Sequence, residues 1–132
     1  MKLNIKKLKI NHKDSRGLIM DIFEKKKINH STIVTFKNKS IRGNHFHKKS
    51  YQYALIFEGQ FTVKEMKMRN NKLKKISTNI VKKNYLIEHK PYHAHAFQCN
   101  SKKGCLIVFS RGMRGGKDYE KDTFKLTKPI LK

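Results

Sequence analysis

Turn signals recur every few residues along this chain, and no stretch between them carries a long apolar period of 3.6 residues. The runs between the turns are short and rich in β-branched and aromatic residues. The clearest is His30 to Phe36, His-Ser-Thr-Ile-Val-Thr-Phe. Tyr51 to Phe57 runs into Glu58-Gly59, and Cys105 to Ser110 is wholly apolar up to its last residue. Further strands are predicted over residues 2–10, Leu18 to Phe23, Gln60 to Met68, Leu73 to Val81, Tyr85 to Ile87 and the segment after Pro91. Asn11 to Gly17 reads as a polar turn, and Lys25-Lys26-Lys27 as a solvated loop. Arg69-Asn70-Asn71 turns one strand into a hairpin partner, and residues 100–104 make a further turn. Asp118 to Phe124 opens the tail with a short helical turn. About nine to eleven short strands indicate an all-β sandwich or barrel.

The stretch Arg42-Gly43-Asn44-His45-Phe46-His47 places two histidines at i and i+2. On a strand that spacing puts both imidazoles on one face. Together with the strand that follows, they form the wall of a small pocket. A second i, i+2 pair, His93 and His95, follows Pro91. His12, His30 and His89 read as ordinary surface or core residues, and His93 as a residue at the rim.

The length of 132 residues suits one domain spanning residues 1–132 with one core. With 8 Phe and 5 Tyr the chain is too aromatic for a disordered one. The net charge of +23 admits a nucleic acid, an anionic surface or an acidic small molecule as partner. Only five of the basic residues are arginines, and four of these sit beside glycines, at Arg16, Arg42, Arg111 and Arg114. That is turn or pocket chemistry rather than a basic stripe for bidentate phosphate or base contacts. The lysines, spread among Asn and Ile, read as compositional bias. The two cysteines, Cys99 and Cys105, lack metal-ligand spacing, and without a secretory signal they read as free thiols in a reducing cytoplasm. The longest apolar run is too short to insert in a membrane.

The spacing Gly43-x-His45-x-His47, four residues, Gln52, six residues, Gly59 resembles the first motif of the cupin superfamily. Pro91, His95, Phe97 and Asn100 resemble the second motif, without the glycine that usually stands between Pro and His. The resemblance implies a double-stranded β-helix, a jelly-roll barrel with its site inside. Arg42 to Lys49, Arg-Gly-Asn-His-Phe-His-Lys-Lys, is similar to a segment of the dTDP-sugar 3,4-ketoisomerases. It also resembles the dTDP-4-dehydrorhamnose 3,5-epimerases and the C-terminal cupin domains of capsular-polysaccharide sugar epimerase/reductases. Asp118 to Phe124 looks like the tails of the ketoisomerases and of these C-terminal domains. The function implied is an isomerase or epimerase acting on a nucleotide-linked keto-sugar in surface polysaccharide synthesis. The alternatives are a non-catalytic sugar-binding cupin and a basic nucleic-acid binder, of which the second is disfavoured by the arginine pattern.

Two chemistries suit such a pocket. His45, His47 and His95, with Gln52 where many cupins have Glu, could hold one divalent transition metal such as Zn or Fe. Without a metal, His45 and His47 would act as base and acid beside a sugar carbonyl, the role the resemblance to the ketoisomerases implies. Arg42 would hold a phosphate or the carbonyl oxygen. The resemblance to the 3,5-epimerases adds Arg16, in Asp14-Ser15-Arg16-Gly17, as a substrate contact, although the segment also reads as a turn with a capping carboxylate. Tyr53 could donate to an oxyanion, but alternation puts Tyr51 and Tyr53 on the face opposite Gln52. A homodimer is expected, since small cupins pair through edge strands.

Overall fold

The computed structural model describes residues 4–68, 75–112 and 120–132. Twelve strands are found among them: β1 (Asn4–Lys7), β2 (His12–Asp14), β3 (Gly17–Ile19), β4 (His30–Lys37), β5 (Ile41–Phe46) and β6 (Tyr51–Glu58). They continue with β7 (Gln60–Lys67), β8 (Ile76–Lys82), β9 (Tyr85–His89), β10 (His93–Cys99), β11 (Lys103–Arg111) and β12 (Phe124–Lys125). Two antiparallel five-stranded sheets carry the fold, in the orders β1-β9-β6-β11-β4 and β12-β5-β10-β7-β8, while β2 and β3 form a separate hairpin. This is the all-β jelly roll, the double-stranded β-helix of the cupins.

Period-2 patterning explains how the sheets close on each other. In β7, Phe61, Val63 and Glu65 are buried while their neighbours are not. In β11, Leu106, Val108 and Ser110 point inward. With Phe36, Ala54, Ile56, Val81, Ile87, Phe97 and Cys99, the apolar members fill the space between the sheets. Both faces of β6 are buried. Gln52, Ala54 and Ile56 face the interior; Tyr53 and Leu55 pack on the outside with Leu8 and Leu86.

What covers that outer face departs from expectation. Leu18 to Phe23 was expected to be one strand, yet β3 ends at Ile19. Met20, Ile22, Phe23 and Ile28 instead pack over Tyr53, Leu55 and Phe109, with Phe23 meeting the Tyr53 and Phe109 rings edge-on at 5.2 and 5.0 Å. This segment bends at residues 22, 24 and 25 and joins no ladder, and its apolar side chains pack on the outer face of the sheet. The polar stretch expected to be a plain turn contributes β2, and its tip keeps the expected capping carboxylate: Arg16 N–H donates to Asp14 Oδ1 at 2.9 Å. The tail carries the short helical stretch at residues 120–121. The turn read at Arg69-Asn70-Asn71, the pair Arg114-Gly115 and residues Asp118 and Tyr119 lie outside the described residues. Both cysteines are free thiols.

Candidate functional site

The site begins with a break in regular pairing. Along β5 and β10 the register runs His45 opposite His95 and then Gly43 opposite Ala96, so Asn44 has no partner on β10. Gly43 and Asn44 both take positive φ, 103° and 56°, which makes this a bulge. Gly43 is required here on two counts. A Cβ on it would stand 2.7 Å from the His95 carbonyl oxygen, and an L side chain rarely adopts that φ. The unpaired Asn44 turns outward and ties down the C-terminal segment. Ile130 N–H (2.9 Å) and Leu131 N–H (3.2 Å) donate to its Oδ1, and its Nδ2 donates to the Leu131 carbonyl at 3.1 Å.

Beyond the bulge, His45 and His47 come to the same side, as their spacing predicted. Their rings lie 5.0 Å apart, and His95 stands 4.9 Å from His45 and 5.6 Å from His47. One ligating nitrogen from each of the three lies within 4.8 Å of the others. His47 donates Nδ1–H to the Asp122 carbonyl at 2.7 Å, and His95 donates Nδ1–H to the His93 carbonyl at 3.1 Å. Both rings therefore present Nε2 away from those anchors. Burial, then the neighbouring His89, His45 and His47 rings, pushes the His95 imidazole well below its ordinary pKa of 6.5. It stays neutral, as a base or a ligand must.

Asp122 fixes the segment that follows His47. Its carboxylate accepts from the backbone N–H groups of Lys48 (2.9 Å), Lys49 (3.1 Å) and Ser50 (2.9 Å), and from the Ser50 hydroxyl (2.9 Å). Burial alone would raise its pKa, but these bonds outweigh it and hold the group below the usual aspartate value.

A cavity of about 410 Å³ opens between the sheets, and His45, Gln52, His89, His95 and Arg42 line it with apolar residues such as Phe36, Phe97 and Val108. His47 stands beside this cavity rather than among its lining residues. Arg42 is exposed; its Nε donates to the Thr35 carbonyl at 3.3 Å and its guanidinium lies 5.5 Å from the Phe36 ring centre. Two residues expected at the substrate lie elsewhere. Tyr53 is on the opposite face of β6, where it lines a separate hollow of about 400 Å³ with Phe23, Lys26 and Glu88. The alternation that turns Gln52 inward turns Tyr53 out, so its placement at the substrate is corrected. Arg16 sits on the β2–β3 hairpin, bound to Asp14 at 2.7 Å and 86% exposed, outside the lining of the cavity.

His89, read from the sequence as an ordinary core or surface residue, is a lining residue of the cavity. Its ring stacks on His95 with centroids 4.1 Å apart. Glu65 was not singled out, and Asp122 entered only within the tail segment Asp118 to Phe124. Only the contacts they make, 24 and 72 to 75 residues away in sequence, reveal their place.

The donor set fits a divalent transition metal. Three imidazoles are within reach of one ion, and two are oriented through backbone carbonyls in the manner of metal-bound histidines. Gln52 would add a neutral oxygen where Glu would add a charge.

Several solved structures share this fold. A dTDP-4-dehydrorhamnose 3,5-epimerase from Sulfolobus tokodaii superposes with a TM-score of 0.77 at 16% identity, covering 90% of this chain and 73% of that one. A 3,4-ketoisomerase from Helicobacter canadensis gives 0.77 at 18% identity, covering 95% and 91%. A variant 3,4-ketoisomerase from Thermoanaerobacterium thermosaccharolyticum, in complex with TDP-4-keto-6-deoxyglucose, gives 0.71 at 17% identity, covering 94% and 87%. No curated protein matches the sequence. At family level, residues 12–123 match the family described as Polysaccharide biosynthesis C-terminal domain, and the chain belongs to that family.

Proposed function

We propose that this protein is an isomerase or epimerase of a nucleotide-linked keto-sugar, acting in the cytoplasm in the synthesis of a surface polysaccharide. The observation that carries the proposal is the convergence of His45, His47 and His95, the first and last of which line one cavity, inside a fold shared with sugar-nucleotide epimerases and ketoisomerases. A carbon next to a ketone loses its proton far more readily than an isolated one, because the electron pair moves onto the carbonyl oxygen. His45, facing the cavity, takes that proton to give an enolate, an enediolate where the carbon bears a hydroxyl. An imidazolium then returns a proton to the same carbon on the other face, or protonates the former carbonyl carbon while the adjacent hydroxyl passes its proton to the former carbonyl oxygen and becomes the new ketone. His47, aligned by the Asp122 carbonyl, is the second acid/base group. Arg42, exposed and lining the cavity, binds the pyrophosphate or the carbonyl oxygen as a fixed cation. The free thiols suit a reducing compartment.

The test is to incubate the protein with dTDP-4-keto-6-deoxyglucose in deuterated water and follow deuterium entering the carbons beside the ketone. Wild type should exchange and convert the sugar. His45→Asn and His47→Asn should each abolish turnover with unchanged circular dichroism. Full activity in either variant would sink the assignment.

A second reading rests on the ligand geometry. A divalent ion held by His45, His47 and His95, with Gln52 beside them, would supply Lewis acidity at the sugar carbonyl. Elemental analysis of untagged protein prepared without chelator separates the two. About one transition metal per chain supports the metal reading. No metal, with none taken up on addition, supports the histidines as acid and base.

A further inference from the structure

Behind the cavity-lining His89 lies a buried polar group that the proposed proton transfer does not use. The Glu65 side chain, 3% exposed on β7, faces His89 Nδ1 at 3.3 Å through Oε2 and His93 Nδ1 at 2.6 Å through Oε1. Among the described residues these two imidazoles are its only ion-pair partners. Glu65 and His93 belong to one sheet and His89 to the other, so the carboxylate links the two walls of the barrel. A buried carboxylate shared by two histidines costs desolvation that an apolar trio of similar volume would avoid. The Nε2 atom of His89 is buried and has no hydrogen-bond partner among the described residues, in a residue that lines the cavity. Such an orphan is costly unless a ligand satisfies it.

The chemistry of the carboxylate fixes what Nε2 offers. An ionised carboxylate only accepts, so both Nδ1 atoms must carry the hydrogen. With its hydrogen on Nδ1, the His89 ring leaves Nε2 as the acceptor, a buried atom of a residue that lines the cavity. His95, donating Nδ1–H to the His93 carbonyl, shows its own Nε2 in the same state. A ligand that satisfies such acceptors must bring hydrogen-bond donors, and the hydroxyls of a sugar are such donors.

Resting on the proposed substrate class, we propose that His89 binds a hydroxyl of the sugar ring and that Glu65 is the residue that positions it. The sugar end of the substrate enters toward His89, and the nucleotide diphosphate stays toward exposed Arg42. His89 thus distinguishes a hydroxylated sugar from the bare nucleotide without taking part in the proton transfer.

The experiment combines titration calorimetry with nitrogen-15 spectra of the imidazoles, using dTDP and dTDP-4-keto-6-deoxyglucose as probes. Wild type, His89→Phe, His89→Gln and Glu65→Gln are compared after circular dichroism has confirmed folding. In wild type the spectrum should show His89 protonated at Nδ1. His89→Phe should bind dTDP as wild type does but lose about tenfold or more in affinity for the keto-sugar nucleotide, the worth of one good hydrogen bond. His89→Gln, whose amide can reach the Nε2 position, should recover part of that loss. Glu65→Gln offers one acceptor to two imidazoles. His93, the nearer, keeps it, so His89 should shift its proton to Nε2 and lose affinity similarly; a merely structural Glu65 would not move that signal. Equal keto-sugar affinity in His89→Phe and wild type, or a wild-type His89 protonated at Nε2, overturns the proposal while leaving the isomerase reading standing. Failure of wild type to bind either probe overturns the substrate class itself, and the role of His89 with it.

Discussion

Removing the Asp122 carboxylate should loosen the histidine segment and cost a large part of the protein's stability. Its two oxygens serve three backbone N–H groups and one hydroxyl, all between 2.9 and 3.1 Å in their shorter contacts. Lys48 and Lys49 are exposed, so their N–H groups can turn to water when the acceptor disappears. Ser50, 1% exposed, cannot do so. Its N–H loses this acceptor at about 1–3 kcal/mol, its hydroxyl loses one contact at about 1 kcal/mol, and exchanging two charge-assisted bonds for water adds about 1 kcal/mol. Asp122→Ala should therefore destabilise by about 3–5 kcal/mol. Asp122→Asn keeps one acceptor oxygen for Lys48 and Lys49 but points an amide at the Ser50 N–H, for a loss of about 1–3 kcal/mol. At roughly 3–5 °C per kcal/mol for a domain of this size, melting followed by far-ultraviolet circular dichroism should rank wild type above Asn above Ala. Chain concentration is held equal so that any association does not enter. The Ala variant should also lose activity well below its melting temperature, because residues 48–50 follow directly on His47. An Asp122→Ala protein within 1 kcal/mol of wild type would refute the claim that these bonds anchor the segment.

Gly43→Ala should separate β5 from β10, since its Cβ would meet the His95 carbonyl at 2.7 Å in a backbone conformation alanine resists; a loss of about 1–3 kcal/mol and of activity is expected by melting and turnover, and an active, equally stable variant would refute it. His95 is held neutral by burial, so the unfolded chain takes up a proton at residue 95 at a higher pH than the folded one. Its contribution is fully present above the ordinary value of 6.5 and is lost as pH falls below it. Melting temperature should decline from pH 7 to pH 5, less steeply in His95→Gln, and an equal decline in both proteins would contradict the assignment. Asp122 works in a separate window: its depressed pKa contributes stability above the ordinary 3.8, lost as pH falls toward the folded-state value.

What could be read in the sequence was whatever local periodicity controls. The i, i+2 spacing brings His45 and His47 to one side, and the period of 2 along β6 separates Gln52 from Tyr53. The motif spacing marks His95 as their companion across β10. The outward placement of Tyr53 follows from the same alternation, which should have outweighed its chemical appeal. Residues 20–28 defeated the reading because packing on the outer face of a sheet has no period of its own. The bulge at Asn44 was hidden because it depends on the register against β10. His89 escaped because nothing near it in sequence hints at Glu65, which approaches from another strand.

The attachments at Asn44 and Asp122 set an order of events in synthesis. The histidine pair leaves the ribosome before its fastenings: the group that orients His47 follows it by 75 residues, and the residues bound to Asn44 follow by 86 and 87. At about 5–20 residues per second, roughly 4–15 s pass between the appearance of the imidazoles and of Asp122. During that interval β5 can pair with what has already emerged, but its two fastenings do not yet exist. The nascent chain therefore carries its reactive side chains before it can hold them in place, and the pocket is completed by residues made 75 and more positions later.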